Sequence, residues 1–327
     1  MSSLRELGEL EIIRILEQTV WRSPRTVVGF GDDISAVRLA NGNLAVLKTD
    51  MLVGSTDIPP GMTVRQAARK AVVASVSDMA AKGVRPVAGL VALGLPAKLT
   101  KKDVLDIAAG LCDASREYAF PIVGGDTNES EDLTMTVALF GTAMKEHLVL
   151  RKGARTGDVV AVTGEFGSTS AGLKSLLEMN RNPKQLPGAL YEAVFKPHAQ
   201  LDMGLKLAAS GALTASIDSS DGLAWSLHEL SVASRVGILI ETIPTTTAAR
   251  DFGEKYGYDA SELALYGGEE YHLVVTVKRD KFNLARRVSR GRLKRIGTVT
   301  RDFSGVRISQ QGRQTEIPRK GWEHFKR

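Results

Sequence analysis

Seven aspartates sit where an oxygen ligand would be useful. Asp32 and Asp33 lie in GFGDDISAV (29–37), Asp50 in LKTDML (47–52), Asp126 in GGDT (124–127), and Asp218 and Asp221 in IDSSDGL (217–223). These six stand beside glycines or at the ends of segments that read as strands. Asp78 differs, because it lies inside a long Ala/Val-rich stretch of helical periodicity, flanked by Val76 and Met79. Asp is a poor helix-interior residue, and an ionised carboxylate on a buried face costs several kcal/mol unless it is paired or ligates a cation. Any one of the seven is explained by a helix cap or an Asx-turn, and Asp221-Gly222 before a helix reads that way. Together, in a chain with 5 His and 1 Cys, they suit a hard cation such as Mg²⁺, which prefers oxygen ligands. Carboxylates that recruit Mg²⁺ to a polyphosphate imply phosphoryl transfer or another ATP-dependent step.

The common nucleotide signatures are missing. The sequence has no Gly-Lys dipeptide and hence no Walker A loop, no complete GxGxxG, and neither HRD nor DFG. HExxH, GxSxG and the D-x-D-x-D-G spacing of a calcium loop are also absent. ATP would have to be held by glycine turns, metal ions and a basic residue. Arg151, in LRKGARTGD (150–158), is one such residue, although on the letters alone a solvated surface arginine explains it more simply.

The elements that must position these groups alternate between helix and strand, an α/β texture. Helices are expected at 4–18, 63–82 (N-capped by Thr63 and stopped by Gly83), 101–118, 168–180 and 224–235. Strands are expected at 44–50, 87–95, 120–126, 133–143, 158–167 (with a turn), 236–241 and 271–277, and 214–223 passes from a strand through a turn into the helix 224–235. The polar, glycine-containing segment 144–157 reads as a domain boundary. It divides the chain into an ATP- and metal-binding domain, 1–145, and a C-terminal α/β domain, 146–327.

Composition limits the alternatives. With 43% hydrophobic and 24% charged residues in 327, the chain is an ordinary globular protein of about two domains. No apolar run approaches the ~20 residues of a membrane span. The lone Cys112 excludes an intrachain disulfide and a CxxC redox motif. The N-terminus reads as an amphipathic helix without a signal-peptide core, so a cytoplasmic location is expected. The net charge of +6 is uneven: residues 278–327 carry 16 Lys/Arg against 4 Asp/Glu, leaving the remainder acidic. That segment could bind nucleic acid, form a solvated basic surface, or draw anionic phosphates toward a cleft. It lacks interleaved aromatics and zinc-ligand spacing, which disfavours nucleic acid.

Eight motifs occur in order: GDD (31–33), TDMLV (49–53), VSDMAAKG (76–83), GGDT (124–127), RKGARTGD (151–158), IDSSDGL (217–223), GGEEY (267–271) and KGWEHF (320–325). In this series the chain resembles the thiamine-monophosphate kinase family. That family belongs to an ATP-binding superfamily with aminoimidazole ribonucleotide synthetase, selenophosphate synthetase and a hydrogenase maturation factor. The resemblance covers nearly the whole chain. It implies an N-terminal sheet that forms a barrel across a homodimer, a C-terminal α/β domain, and ATP in the cleft between them. It implies that ATP and thiamine monophosphate give ADP and thiamine diphosphate by direct in-line transfer assisted by Mg²⁺. The acceptor is an ionised phosphate, so no strong general base and no covalent phospho-enzyme are expected.

The resemblance also implies roles for residues. Asp33, Thr49, Asp50, Asp78, Asp126, Asp218 and Asp221 match metal ligands, with Asp126, Asp218, Asp221 and Arg151 at the reacting phosphates. Gly125, Asp126, Arg151, Ser220 and, more weakly, Tyr118 match ATP contacts. Glu269 and Trp322 match substrate contacts, and the indole offers a π face to a cationic thiazolium. Three positions depart from the pattern, the mildest being Glu270, which stands where an aspartate is common after GGE. Lys48 stands where a serine is common, and it can cost a metal contact or replace a cation. Asp57 stands where a substrate-contacting histidine is common. The competing readings are another enzyme of the superfamily acting on a different small molecule, and a nucleic-acid-binding protein using the basic segment. Cys112 lies mid-domain and the chain ends His-Phe-Lys-Arg, which disfavours selenophosphate synthetase and the hydrogenase factor respectively.

Overall fold

A computed structural model describes residues 4–21 and 23–323. The alternating segments assemble into two sheets. The first contains β1 (Thr26–Val28), β2 (Ser35–Arg38), β3 (Leu44–Val53), β4 (Pro86–Leu95), β5 (Ile122–Glu129) and β6 (Thr134–Ala143), in the order β1-β2-β3-β6-β4-β5. Only the β4–β5 pair is parallel. The second contains β7 (Val159–Val162), β8 (Leu213–Asp218), β9 (Gly237–Ile240), β10 (Leu273–Val277), β11 (Lys294–Thr300), β12 (Gly305–Gln310) and β13 (Arg313–Glu316), in the order β13-β12-β9-β11-β7-β10-β8. There only β9–β12 is parallel. The two sheets fall on either side of the 144–157 segment.

The helix Val64–Ala81 joins the halves. Thr63 caps it with a reciprocal Gln66 bond, and nearly every residue from Ala67 onward is buried. It lies on β3 and β6 of the first sheet, and it also meets the helix Leu201–Ala209 and β8 of the second half. Gly204 makes that crossing possible, because a Cβ there would fall 2.0 Å from the Ala80 carbonyl oxygen. One hydrophobic core therefore runs from Val46 and Leu139 of the first sheet through this helix to Val275 and Val277 of the second. A separate core lies under the helix Leu223–Ser234. The strands β7 and β10 are buried at every position, as expected of strands covered on both faces.

Several expectations shift. The strand around GGD starts at Ile122 and runs to Glu129, so Asp126 lies mid-strand instead of at a strand end. The helix expected to reach 180 ends at Leu177. The N-terminal helix Leu4–Thr19 breaks at Gly8, whose φ is 72°. The basic segment is folded: it supplies the helix Phe282–Val288 and three strands, β11–β13. Part of its charge is paired, through Lys294–Glu165, Arg295–Glu241 and Arg319–Glu229. No helix among the described residues is long and apolar enough to cross a membrane.

Candidate active site

A cavity of about 1040 Å³ opens between the halves. It is lined by Asp33, β3, the helix Val64–Ala81, the turn after β8, the GGEEY loop and the C-terminal Gly321-Trp322. Its inner end is acidic. Asp33 arrives on the loop before β2, Asp78 from the last turns of the helix, and Asp218 from the end of β8. One carboxylate oxygen of each lies within 4.8 Å of the others, and all three residues are buried. Asp50 and Asp221 also line this end. The Ser77 hydroxyl donates to Asp218 at 2.7 Å.

Three resident cations face these carboxylates. Lys48 Nζ lies 2.6 Å from Asp78 and 2.8 Å from Asp50. Lys82, fully buried, reaches Asp32 at 2.8 Å, Asp33 at 2.7 Å and the Ser216 carbonyl at 2.5 Å. Arg151 Nε donates to Asp33 at 2.6 Å, and its Nη1 meets Glu229 at 2.8 Å. The electrostatics divide accordingly. Burial would raise Asp33, but Lys82 and Arg151 hold its carboxyl below the usual range. Burial and the neighbouring carboxylates push Asp78 well up, in spite of Lys48. Asp218 rises to about 6, from burial and the charge of Asp33. Asp221 rises to about 7, from burial and the charge of Asp218. Crowded buried carboxylates, three of which resist ionisation, offer oxygen donors alone and fit a hard divalent cation.

The outer wall is built from a different set. Lys70, on the same helix as Asp78, is 3% exposed. It donates to the Asp57 carbonyl at 2.7 Å and pairs with Glu269. Glu269 and Tyr271 both have positive φ, 62° and 52°, a conformation that costs of order 1–3 kcal/mol and persists where the surroundings enforce it. The enforcement is visible: Glu269 N donates to the Ser220 carbonyl at 2.6 Å and Tyr271 N to that of Ser219 at 3.1 Å. The Asp57 side chain turns inward on its own loop, accepting from Val53 N at 2.7 Å. Trp322, anchored by its N–H to the Asp221 carbonyl at 3.1 Å, closes the far side.

The cavity thus gathers Asp33, Asp50, Asp57, Asp78, Arg151, Asp218, Ser220, Asp221, Glu269 and Trp322. Four residues singled out from the sequence lie outside it. Thr49 points away from the cavity, because strand alternation sends Lys48 and Asp50 the other way. Gly125 and Asp126 stand on the exposed edge strand β5. Gly125 is required by packing, since a Cβ would sit 1.8 Å from the Val91 carbonyl oxygen. Tyr118 is buried, its hydroxyl accepting from Ala199 N at 2.9 Å. The buried cations Lys70 and Lys82 carried no role in the sequence reading. Their signal was present: each is a multiple of four residues from Asp78 along an Ala/Val-rich helix.

Residues 31–144 match the family described as AIR synthase related protein, N-terminal domain. Across 99% of the chain, the sequence is 36% identical to all of a thiamine-monophosphate kinase of Nitrosopumilus maritimus. It is 35% identical to one of Pyrococcus abyssi, over 90% of each chain. Among solved structures, AaThiL complexed with AMPPCP and TMP superposes with a TM-score of 0.86, at 30% identity and 99% coverage of both chains. A HypE–HypF complex superposes at 0.76 with 23% identity, covering 94% of this chain and 99% of that one, a likeness of fold.

Proposed function

The chain belongs to the thiamine-monophosphate kinase family, and from that membership we propose that it transfers the γ-phosphoryl group of ATP to thiamine monophosphate, giving ADP and thiamine diphosphate. The observation that carries this reading is the buried carboxylate group Asp33–Asp78–Asp218 at the inner end of a cavity whose outer wall is Lys70–Glu269 and Trp322. Asp33, Asp50, Asp78, Asp218 and Asp221 would hold Mg²⁺, which when bound neutralises the polyphosphate and polarises the transferred group. An oxygen of the acceptor phosphate forms the new bond to the γ-phosphorus as the bond to the β–γ bridging oxygen breaks, and ADP leaves. The acceptor is already an anion at neutral pH, so no side chain has to remove a proton.

The chain's own residues orient the reactants. Arg151 keeps its charge and brings planar donors to the phosphate end. Ser220, held between Asp218 and Asp221, offers a hydroxyl there. Glu269, fixed by Lys70, faces the cationic part of the acceptor, and Trp322 supplies an aromatic wall. Asp57 contributes through its backbone carbonyl to Lys70, so its carboxylate does not confront the substrate phosphate.

The reading includes a homodimer. The first sheet leaves Leu47, Met51, Leu90 and Val123 exposed, and it ends in the open edge strand β5. Apolar faces and unpaired edges of that kind call for cover. A second copy packed there would bury them, and it would bring Thr49, Gly125 and Asp126 of one chain toward the nucleotide of the other. The domains are 1–145 and 146–327, and the location is cytoplasmic. The test is transfer from γ-labelled ATP with Mg²⁺ and thiamine monophosphate. Labelled thiamine diphosphate is expected, with none in Asp218→Asn and no labelled protein after acid quench. Turnover of ATP with another phosphate acceptor but not this one would reject the substrate and keep the chemistry.

A further inference from the structure

Lys48 carries an inference beyond this reaction. Its neighbours on β3 alternate, so Lys48 and Asp50 project to the same side and meet Asp78 rising from the helix. The ammonium touches one oxygen of each carboxylate, at 2.8 Å and 2.6 Å, and its side chain is 14% exposed. That is the bridging position a cation would take between Asp50 and Asp78. Asp78 also belongs to the Asp33–Asp78–Asp218 group, so it serves two places at once. One is filled by the lysine; the other is open to the cavity. Among the described residues, the ion pairs of Asp32, Asp33, Asp50 and Asp78 are made by Lys48, Lys82 and Arg151, and Asp218 and Asp221 beside them add negative charge for a divalent ion on the open side.

We propose that Lys48 is a built-in monovalent cation occupying the Asp50–Asp78 position, so that each chain binds one divalent ion fewer than its carboxylates could hold. The inference rests on the reading of this cluster as a divalent-metal site. Lys48 is here a positioning residue, because it touches the metal-holding carboxylates and not the reacting atoms. Its consequence is measurable without turnover. Removing the ammonium frees two carboxylate oxygens that lie 2.8 Å and 2.6 Å from the vacated point, and a second divalent ion can enter.

The probe is Mn²⁺ alone, counted by its free electron-paramagnetic-resonance signal during titration of the full-length protein. Lys48→Met is expected to bind one more Mn²⁺ per chain than wild type, while Lys48→Arg, which keeps a cation, binds the wild-type number. Lys48→Gln serves as a second neutral variant should the methionine fail to fold, with circular dichroism melting as the check. Equal stoichiometry in wild type and both neutral variants, with at least one ion bound, overturns the proposal and leaves the metal site standing. No Mn²⁺ bound by wild type or by either neutral variant overturns both.

Discussion

Asp218 and Asp126 stand in similar local sequence, each close to glycine and serine or threonine, and their surroundings are opposite. Asp218 ends β8, 4% exposed, within reach of Asp33, Asp78 and the Ser77 hydroxyl. Asp126 lies mid-strand on the open edge of the other sheet, exposed and away from the cavity. The first is a carboxylate that pays desolvation to sit among its own kind. The second has paid nothing yet. The difference teaches that a motif fixes a residue's chemistry but not the surroundings in which the fold sets it. In the proposed dimer the inner end of the cleft comes from one copy, and its cover comes from the edge strand of the other.

The sharpest way to break that contrast is to neutralise the inner group. Asp218→Asn is isosteric and keeps the Ser77 contact while removing one charge. Transfer of label should fall about 10³-fold or more, as when one preorganised electrostatic contact is lost, and the melting temperature should hold or rise. Retention of more than a tenth of wild-type transfer would remove the inner cluster from the chemistry.

The next largest effect concerns the cations that make the inner end tolerable. Lys82 has no exposure and three partners, Asp32, Asp33 and the Ser216 carbonyl. Lys82→Met leaves buried carboxylates uncompensated, and a cost of about 3–5 kcal/mol is expected in chemical denaturation. Lys102, exposed and paired with Asp106 one helical turn away, provides the contrast: Lys102→Met should leave the denaturation midpoint where it is in wild type. If the two variants unfold alike, the inner end is not held by its ion pairs.

Legibility in the sequence follows the same division. Periodicity found the helix around Asp78 and most long strands, because one-faced burial leaves a period in the letters. The seven aspartates were legible from their placement, beside glycines, at strand ends or inside an Ala/Val-rich helix, in a chain with few His and one Cys. Three things were not legible. The short strands β1 and β2 and the helices 188–195, 201–209, 247–256 and 260–266 owe their form to tertiary packing. The pairing of Lys70 with Glu269 and of Lys82 with Asp33 joins residues 199 and 49 positions apart, and no local rule proposes it. The placement of Asp126 on an edge depends on β5 adding parallel to β4, a choice made by the sheet as a whole.

A complementation experiment decides whether Asp126 acts across the interface. Asp126→Asn and Asp218→Asn are each expected to be inactive alone. Unfolded together and refolded, half of the dimers are mixed, and if Asp126 serves the other chain each mixed dimer has one intact site. Activity should then return to about a quarter of wild type. If Asp126 serves its own chain, mixing restores nothing; if it serves no site, Asp126→Asn is active before any mixing; either result overturns its action across the interface.

The smallest expected effect lies on the loop that aims Glu269. Its neighbour Glu270 is buried, and one oxygen, Oε1, accepts from Gly167 N at 2.6 Å and Thr169 N at 3.2 Å. Burial pushes its carboxyl up to about 7, although those two backbone donors pull the other way. The folded protein therefore holds a proton that the unfolded chain, with an ordinary glutamate, releases near pH 4.5. Stability from this group is fully present below that pH and is lost as pH rises through about 7, a fall of about 2 kcal/mol between pH 5 and 7. Glu270→Gln keeps an oxygen where Oε1 stands and cannot titrate, so both backbone bonds survive. In metal-free protein Asp218 and Asp221, raised to about 6 and about 7, drift in the same direction in both forms. The difference between wild type and Glu270→Gln isolates this one carboxyl. The gap in melting temperature should widen in favour of glutamine by about 3 °C from pH 5 to pH 7. A gap independent of pH would mean that Glu270 is ionised in the fold, held as an anion at the head of the helix Ser168–Leu177, and that the loop carrying Glu269 is anchored by charge and not by a neutral acid.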